Sequence, residues 1–323
     1  MARSPATPTQ LLTLANGIFV DSWKNYPVVK SESFRPVRSA ENRVALVNPI
    51  PALIAALIWA FSPIYYGVYL KKFGMLTLNF IRTSLGAGVL LLPALYFGFQ
   101  EGAIFAVLSG VITLAVGDSL FLISIREVGA SVATPVVYTY VLLIQLTAFS
   151  VGESVVVANI VSATLIILGV LLLSRGGSRA PRIKGIIIAL GASLIWTVGQ
   201  DLLKVASSAG LHFVTLAFVR DGSAAVALGL TLIVRGHPLT SLKKVTPREG
   251  GYLALVSISD LALGSAIYVY SVSTTGLALT VILTSLSPFL TQVFSKLLGK
   301  ETPTNMDILA GFLIVLALVI VTI

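Results

Sequence analysis

The chain has no cysteine, only two histidines and few charged residues. The absence of cysteine excludes disulfide bonds, thiolate metal ligands and thiol nucleophiles. His212 and His237 both lie near the ends of predicted helices, so neither a metal centre nor another cofactor is expected. Charged residues make up 11% of the 323 residues, whereas soluble domains average about 25%. The composition therefore argues against a water-soluble protein.

Long apolar runs dominate the rest of the chain. Hydrophobic residues make up 56% of it, and the mean hydropathy is +0.95. From residue 50 onward there are about ten apolar runs, each long enough to cross roughly 30 Å of hydrocarbon as a helix. The runs lack the alternation of a membrane β-barrel. We therefore predict an all-α membrane protein with ten transmembrane helices in the lipid bilayer of the cell membrane.

The second half of the sequence repeats the first. Corresponding pairs recur at offsets of 137 to 147 positions: Trp59 and Trp196, Arg82 and Arg220, Gly129 and Gly276. Each repeat contains five predicted helices, and because five is odd, the second repeat enters the membrane from the opposite side. This is an inverted repeat. We assign the first repeat to residues 49–174, a basic linker to 175–183 and the second repeat to 184–323.

Residues 1–48 are polar and show no helical periodicity. Two interpretations stay open for this segment. It is a mobile, disordered tail, or translation begins near Val44 and the preceding residues are not made.

Basic residues are distributed unevenly among the loops. Thirteen lysines and arginines lie in or beside the odd-numbered loops, and one, Lys204, lies beside an even-numbered loop. Membrane proteins keep such residues on the cytoplasmic side, which places the odd-numbered loops in the cytoplasm. This distribution explains the net charge of +9 without a nucleic-acid partner. The oligomeric state is left open.

Each repeat has an arginine early in its second helix and a fourth helix that leads into a glycine and a glutamate. In "LTSLSPFLTQVFSKLLGKE" (283–301) a Ser-Pro pair precedes the glutamate, whereas Tyr140 stands at the proline position before Gly152 and Glu153. In these features residues 50–323 resemble the EamA-type proteins of the drug/metabolite transporter superfamily. The resemblance implies a carrier of small organic molecules and not an enzyme.

Several charges fall inside the apolar runs, where each costs about 2.5–3.5 kcal/mol on insertion scales. We expect Arg82 and Arg220 to be anchors that reach the lipid headgroups; the alternative is that they face the bundle and pair with backbone carbonyls or an aspartate. Asp118 and Asp260 are the best candidates for proton coupling, with Asp201 as a third. Asp201 lies three residues before Lys204, so we expect these two to pair.

Helix-breaking residues and aromatic residues at corresponding positions indicate a central cavity. The candidates for its wall are Trp59, Pro63, Tyr138, Tyr140, Trp196, Gln200, Tyr268 and Pro288. The alternative for the tryptophans and tyrosines is an aromatic belt at the membrane interface.

Two other classes use intramembrane aspartates or polar pores. An intramembrane aspartyl protease carries Gly-x-Gly-Asp, to which "AVGD" at 115–118 is the nearest match, and a channel needs a filter sequence that is not visible. We therefore predict a secondary-active transporter of small organic metabolites or drugs, coupled to protons and working by alternating access, with a protease or channel as the alternative.

Overall fold

The computed structural model describes residues 48–99, 102–175, 183–236, 245–297 and 305–322. These residues form helices joined by short connections, with no strand among them. The all-helical prediction is therefore confirmed for this part of the chain. The predicted tail and the basic linker lie almost entirely outside the described residues.

The helices follow the apolar runs of the sequence. In the first half they are α1 (Ile50–Phe73), α2 (Met75–Phe97), α3 (Ala103–Ser109), α4 (Asp118–Val128), α5 (Ala130–Val137), α6 (Tyr140–Thr147) and α7 (Val157–Arg175). In the second half they are α8 (Ile183–Ser208), α9 (Phe213–Val234), α10 (Pro247–Ser257), α11 (Ser265–Thr275), α12 (Leu277–Thr284), α13 (Leu286–Leu297) and α14 (Asn305–Thr322).

Seven helical stretches among the described residues are long and apolar enough to cross a membrane. They are Ile50–Phe73, Met75–Phe97, Ala103–Val128, Val132–Val151, Ile183–Ser208, Phe213–Val234 and Pro247–Thr275. Three further apolar helices are shorter, at Val157–Gly169, Leu277–Thr291 and Phe312–Val321. The structure is thus a multi-pass membrane protein, and the predicted total of ten spans stays a prediction.

Among the described residues, two stretches are π-helical, one in each half. Gly110–Gly117 connects α3 to α4, and Ile258–Gly264 connects α10 to α11. Both segments end on a glycine, Gly117 and Gly264, and these glycines are 147 positions apart, as are Gly129 and Gly276. A π-helical turn breaks the regular i to i−4 ladder and is often found at functional sites. The repeat in the sequence is therefore matched by a repeat of an uncommon backbone feature.

Glycines allow the helices of the two halves to approach closely. A Cβ atom at Gly110 would lie 2.6 Å from the Cα of Arg220, so the π-helical segment of the first half packs directly on the α9 backbone. A Cβ at Gly264 would lie 2.8 Å from Nε1 of the Trp59 side chain, which belongs to the other half. Helix packing in membranes depends on such small residues, because lipid supplies no hydrophobic force between helices.

The two halves interlock rather than stand side by side. α2 packs along α9, and α7 packs along α14. α1 contacts α13 and α11 of the second half, while α8 contacts α4 and the Gly110–Gly117 segment of the first half. α1, α2, α7 and α8 therefore each contact the opposite half. The space between the halves lies inside the bundle.

Candidate functional site

A cavity lies at the centre of this interlocked bundle. Its volume is about 90 Å³, several times the roughly 10–15 Å³ that one water molecule needs. Side chains from both halves line it, including Trp59 and Tyr66 of α1, Asp118 of α4 and Trp196 of α8. The cavity therefore has room for several waters or a small organic molecule.

Arg82 of α2 is held by three polar side chains. Its Nη2 donates to Oδ2 of Asp260 at 2.8 Å and lies 3.3 Å from Oδ2 of Asp118, and its Nη1 donates to Oδ1 of Asn79 at 3.1 Å. Asp118 comes from the first half and Asp260 from the second. The guanidinium group is therefore an electrostatic link between the two halves.

Aromatic side chains fix the two carboxylates. The Tyr66 hydroxyl donates to Oδ2 of Asp260 at 2.6 Å, and the Tyr66 ring centroid lies 4.2 Å from the Arg82 guanidinium carbon. Trp196 Nε1 donates to Oδ1 of Asp118 at 3.0 Å. The corresponding Trp59 Nε1 donates to the backbone oxygen of Asp260 at 3.2 Å. Each half thus contributes one tryptophan that bonds to an acidic residue of the other half.

Burial makes these pairings important for stability. Arg82 is 4% exposed, and Asp118 and Asp260 are each 5% exposed. Removing one member of a buried ion pair typically costs about 3–5 kcal/mol, because the partner is left as an unpaired buried charge. Arg82 therefore has to stay paired with at least one of the two carboxylates.

Arg220 of α9 is the other cation in the cavity wall, and it is differently placed. It is 2% exposed, its Nε has no hydrogen-bond partner, and no carboxylate of the described residues lies within ion-pair distance of it. Its chain neighbour Asp221 is fully buried and faces Gly86 of α2. Arg220 therefore presents an unpaired charge to the cavity.

A second ionic cluster lies at the end of the bundle. Lys204 of α8 pairs with Glu153 at 2.8 Å, and the Glu153 carboxylate accepts the backbone N–H groups of Leu277 and Ala278 at 2.6 and 2.7 Å. An acidic side chain at a helix N-terminus satisfies free donors and complements the helix dipole. Lys204 therefore does not pair with Asp201 as the spacing predicted.

The structure places the predicted residues as follows. Six of the cavity candidates line the cavity: Trp59, Pro63, Tyr138, Tyr140, Trp196 and Gln200. Tyr268 and Pro288 are buried but lie outside the cavity wall. Asp118 and Asp260 line the cavity, whereas Asp201 lies outside it and accepts a hydrogen bond from Thr147 at 3.2 Å.

The anchor role expected for Arg82 and Arg220 needs correction. Both side chains are buried and line the cavity, so neither guanidinium group extends to the lipid headgroups. The alternative, that they face the bundle, fits their placement, and Arg82 indeed pairs with aspartates. Their position within the helices was predictable, but the face on which they lie was not.

Sequence reasoning missed several residues of the site. Tyr66, Thr113, Thr134 and Ser287 line the cavity, but none is a charge or a helix breaker, so nothing in the sequence set them apart. The repeat could have identified Thr113, because this residue lies 147 positions before Asp260.

An all-helical bundle with seven candidate membrane spans around a charged internal cavity is a multi-pass membrane protein of the transporter type. The model described as the EamA-like transporter family matches residues 49–175 and 183–323. The chain therefore belongs to the EamA-like transporter family, as its resemblance implied.

Two relatives cover most of the chain. A protein of Archaeoglobus fulgidus described as "Uncharacterized transporter" is 25% identical over 282 residues, which are 85% of this chain and 98% of that protein. A protein of known crystal structure is 22% identical, with a TM-score of 0.63, over 86% of this chain and 96% of that one. This second match shows a shared fold.

Proposed function

We propose that this protein is a secondary-active transporter that carries a small organic molecule across the membrane by alternating access. The observation that carries the proposal is the charged cavity at the centre of the bundle, lined by both halves. Binding sites of secondary carriers lie near the bilayer midplane at the interface of such repeats.

Contacts at the two ends of the bundle support an inverted repeat of ten spans. At one end, Lys72 at the close of α1 forms an ion pair with Glu249 at the start of α10. At the other, Lys204 near the close of α8 pairs with Glu153. A Cβ at Gly185, near the start of α8, would lie 3.0 Å from Cβ of Glu127, near the close of α4. α1 and α4 both end on the Lys72 side of the bundle. Because α8 begins beside the end of α4, it begins on the side where its counterpart α1 ends.

The same contacts supply a means of gating. Lys72 and Glu249 join the halves at one end, and Lys204 and Glu153 join them at the other. Opening the cavity to one side requires separating only the pair on that side. Alternating access follows if one pair forms while the other breaks.

Asp118 and Asp260 are the proposed proton-coupling residues. Both carboxylates contact a single guanidinium group, so protonation of one leaves Arg82 neutralised by the other. This arrangement also disfavours the aspartyl-protease alternative, because a shared arginine occupies the place at which two catalytic carboxylates would share a proton. Asp201, outside the cavity, is the weakest of the three coupling candidates.

The loop charges support an orientation in the cell membrane with the Lys72 end in the cytoplasm. Lys72, Arg126, Lys184 and Arg248 all lie at loops on that side.

Exchange of solute by the purified protein tests the function. The chain is first screened against a metabolite library for compounds that raise its melting temperature, because a ligand of the folded state stabilises it. A compound found in this way is then used for counterflow in proteoliposomes, with protein-free liposomes as the control. We expect saturable exchange. Compounds that bind but are never exchanged would contradict a carrier.

The coupling residues are tested in the same vesicles. Asp118→Asn and Asp260→Asn are expected to abolish uptake driven by a pH gradient while the protein is still made and folded. Counterflow, which needs no gradient, serves as the control for binding. Wild-type uptake under a proton gradient in both variants would remove these residues from the coupling mechanism.

A further inference from the structure

The unpaired guanidinium group of Arg220 is the strongest unexplained feature of the cavity. A buried charge without a partner is costly, yet Arg220 has no hydrogen bond to its Nε and no ion pair within the described part of the chain. Its side chain lines the cavity. The missing partner therefore has to come from the cavity contents.

The repeat identifies the positions at which a partner would be expected. Arg82 is paired with Asp118 and Asp260. At the offset of 147 positions the counterparts of these two acids are Ser265 and Thr113. Both counterparts line the cavity, and Thr113 Oγ1 has no hydrogen-bond partner. Around the second arginine, hydroxyl groups stand where the first arginine has carboxylates.

The segment that carries Thr113 packs between α8 and α9. The segment Gly110–Gly117 packs on α9 at Gly110, whose Cβ position lies 2.6 Å from Cα of Arg220. Thr113 follows three residues later in the same segment. The Thr113 hydroxyl itself lies against α8, because a Cβ at Gly199 would meet its Oγ1. The cavity hydroxyl left to accompany Arg220 is therefore that of Ser265.

We propose that Arg220, with the hydroxyl group of Ser265 in the same cavity wall, binds the oxyanion of a small organic acid. This inference rests on the proposed carrier function and names the class of its substrate. Guanidinium groups bind carboxylates and phosphates through two parallel hydrogen bonds, and a hydroxyl group donates one more. The ligand's oxyanion thus supplies the charge that Asp118 and Asp260 supply to Arg82.

The remaining wall fixes the other end of the ligand. Phe121, Tyr138, Tyr140 and Trp196 contribute aromatic surface next to the polar groups, and Trp196 packs edge-on to Tyr140 with ring centroids 5.5 Å apart. Apolar walls with a few polar groups fix both the position and the orientation of a small ligand. An acid with a compact apolar or aromatic body fits this surface.

Asp221 does not take the place of this anion. Although it adjoins Arg220, it forms no ion pair with it, and both of its carboxylate oxygens lack hydrogen-bond partners. A Cβ at Gly86 would lie 2.6 Å from Oδ2 of Asp221, so this carboxylate faces α2 and not the cavity. The cavity side of Arg220 is left for a ligand.

Equilibrium binding to the purified full chain tests the proposal. Thermal unfolding in detergent at constant chloride is measured with benzoate, lactate and phenyl phosphate, and with the neutral counterparts benzamide, lactamide and phenol. The variants are Arg220→Gln, which removes the charge, Arg220→Lys, which keeps it, and Arg235→Gln. Arg235 is exposed at the end of the same helix and is the matched control.

We expect at least one of the acids to raise the melting temperature of the wild-type protein while its neutral counterpart does not. Arg220→Gln should weaken its binding by about ten- to a hundredfold, the loss typical of a charged hydrogen-bonding partner. Arg220→Lys should retain part of the binding, and Arg235→Gln should behave as wild type. Comparing the rise in melting temperature with benzoate and lactate to the rise with phenyl phosphate shows whether the site prefers carboxylates or phosphates.

Three results would overturn the proposal: equal stabilisation by an acid and its neutral counterpart, an unchanged response in Arg220→Gln, or no response to any acid. These results are separable from failure of the carrier function. Counterflow of a neutral or cationic solute by the same preparation would leave a carrier without an oxyanion site, whereas absence of exchange for every bound compound would reject the carrier itself.

Discussion

Arg82 and Arg220 occupy corresponding positions in the two halves, yet their surroundings differ. Arg82 contacts two carboxylates and an amide oxygen, while Arg220 has no ion-pair partner among the described residues. Each half keeps a tryptophan that bonds to an acidic residue of the other half, and each keeps the π-helical segment. At the two acidic positions, Asp118 and Asp260 of the Arg82 site correspond to the hydroxyl residues Ser265 and Thr113. A duplicated scaffold has therefore kept its shape while its two charge sites diverged.

The largest expected effect is the difference in stability between variants of the two arginines. Arg82→Gln leaves Asp118 and Asp260 buried without a cation, so we expect it to lower the free energy of unfolding by about 3–5 kcal/mol. Arg220→Gln removes a charge that has no protein partner, so we expect the stability of the ligand-free protein to be unchanged or raised. Thermal unfolding of both variants in the same detergent measures this. Equal losses would show that Arg220 also has a protein partner.

A smaller effect is expected when the ion pairs at the two ends of the bundle are removed in turn. The Glu153 side chain is 10% exposed and bonds Lys204 and two backbone N–H groups, whereas Glu249, which pairs with Lys72, is 36% exposed. We expect Glu153→Gln to cost about 1.5–3 kcal/mol of stability, as for hydrogen bonds to charged groups. Glu249→Gln should cost clearly less, because exposed pairs are screened and Gln still caps the helix. A larger loss of stability for Glu249→Gln than for Glu153→Gln in unfolding measurements would contradict this comparison of the two ends.

An effect of similar size is expected at the close contact between Gly110 and the α9 backbone at Arg220. An added methyl group at Gly110 meets the α9 backbone, whereas nothing lies within 4 Å of a Cβ at Gly88. We expect Gly110→Ala to cost about 1–3 kcal/mol through overpacking. Gly88→Ala is the matched control and should leave stability equal or slightly higher, because alanine favours the helix. A tolerated Gly110→Ala would mean that the two halves pack less tightly than described.

Much of the fold could be predicted because hydropathy depends on composition and length alone. The membrane class, the helices and the repeat all follow from local sequence, and helix breakers at matched positions led to Trp59, Pro63 and Gln200. The partners of Arg82 could not be predicted, since Asp260 lies 178 positions away and meets it only when the halves interlock. The same holds for Lys204, whose nearby Asp201 was the better local candidate but whose partner Glu153 comes from the other half.

The central claim is that two inverted halves share one cavity, and labelling of single cysteines tests it most directly. The chain has no cysteine, so Lys71→Cys and Ser208→Cys each introduce a single thiol at exposed, corresponding positions 137 residues apart. A membrane-impermeant maleimide is applied to intact cells and to inverted vesicles. The account predicts that the two thiols are labelled from opposite sides of the membrane; labelling of both from the same side would contradict it.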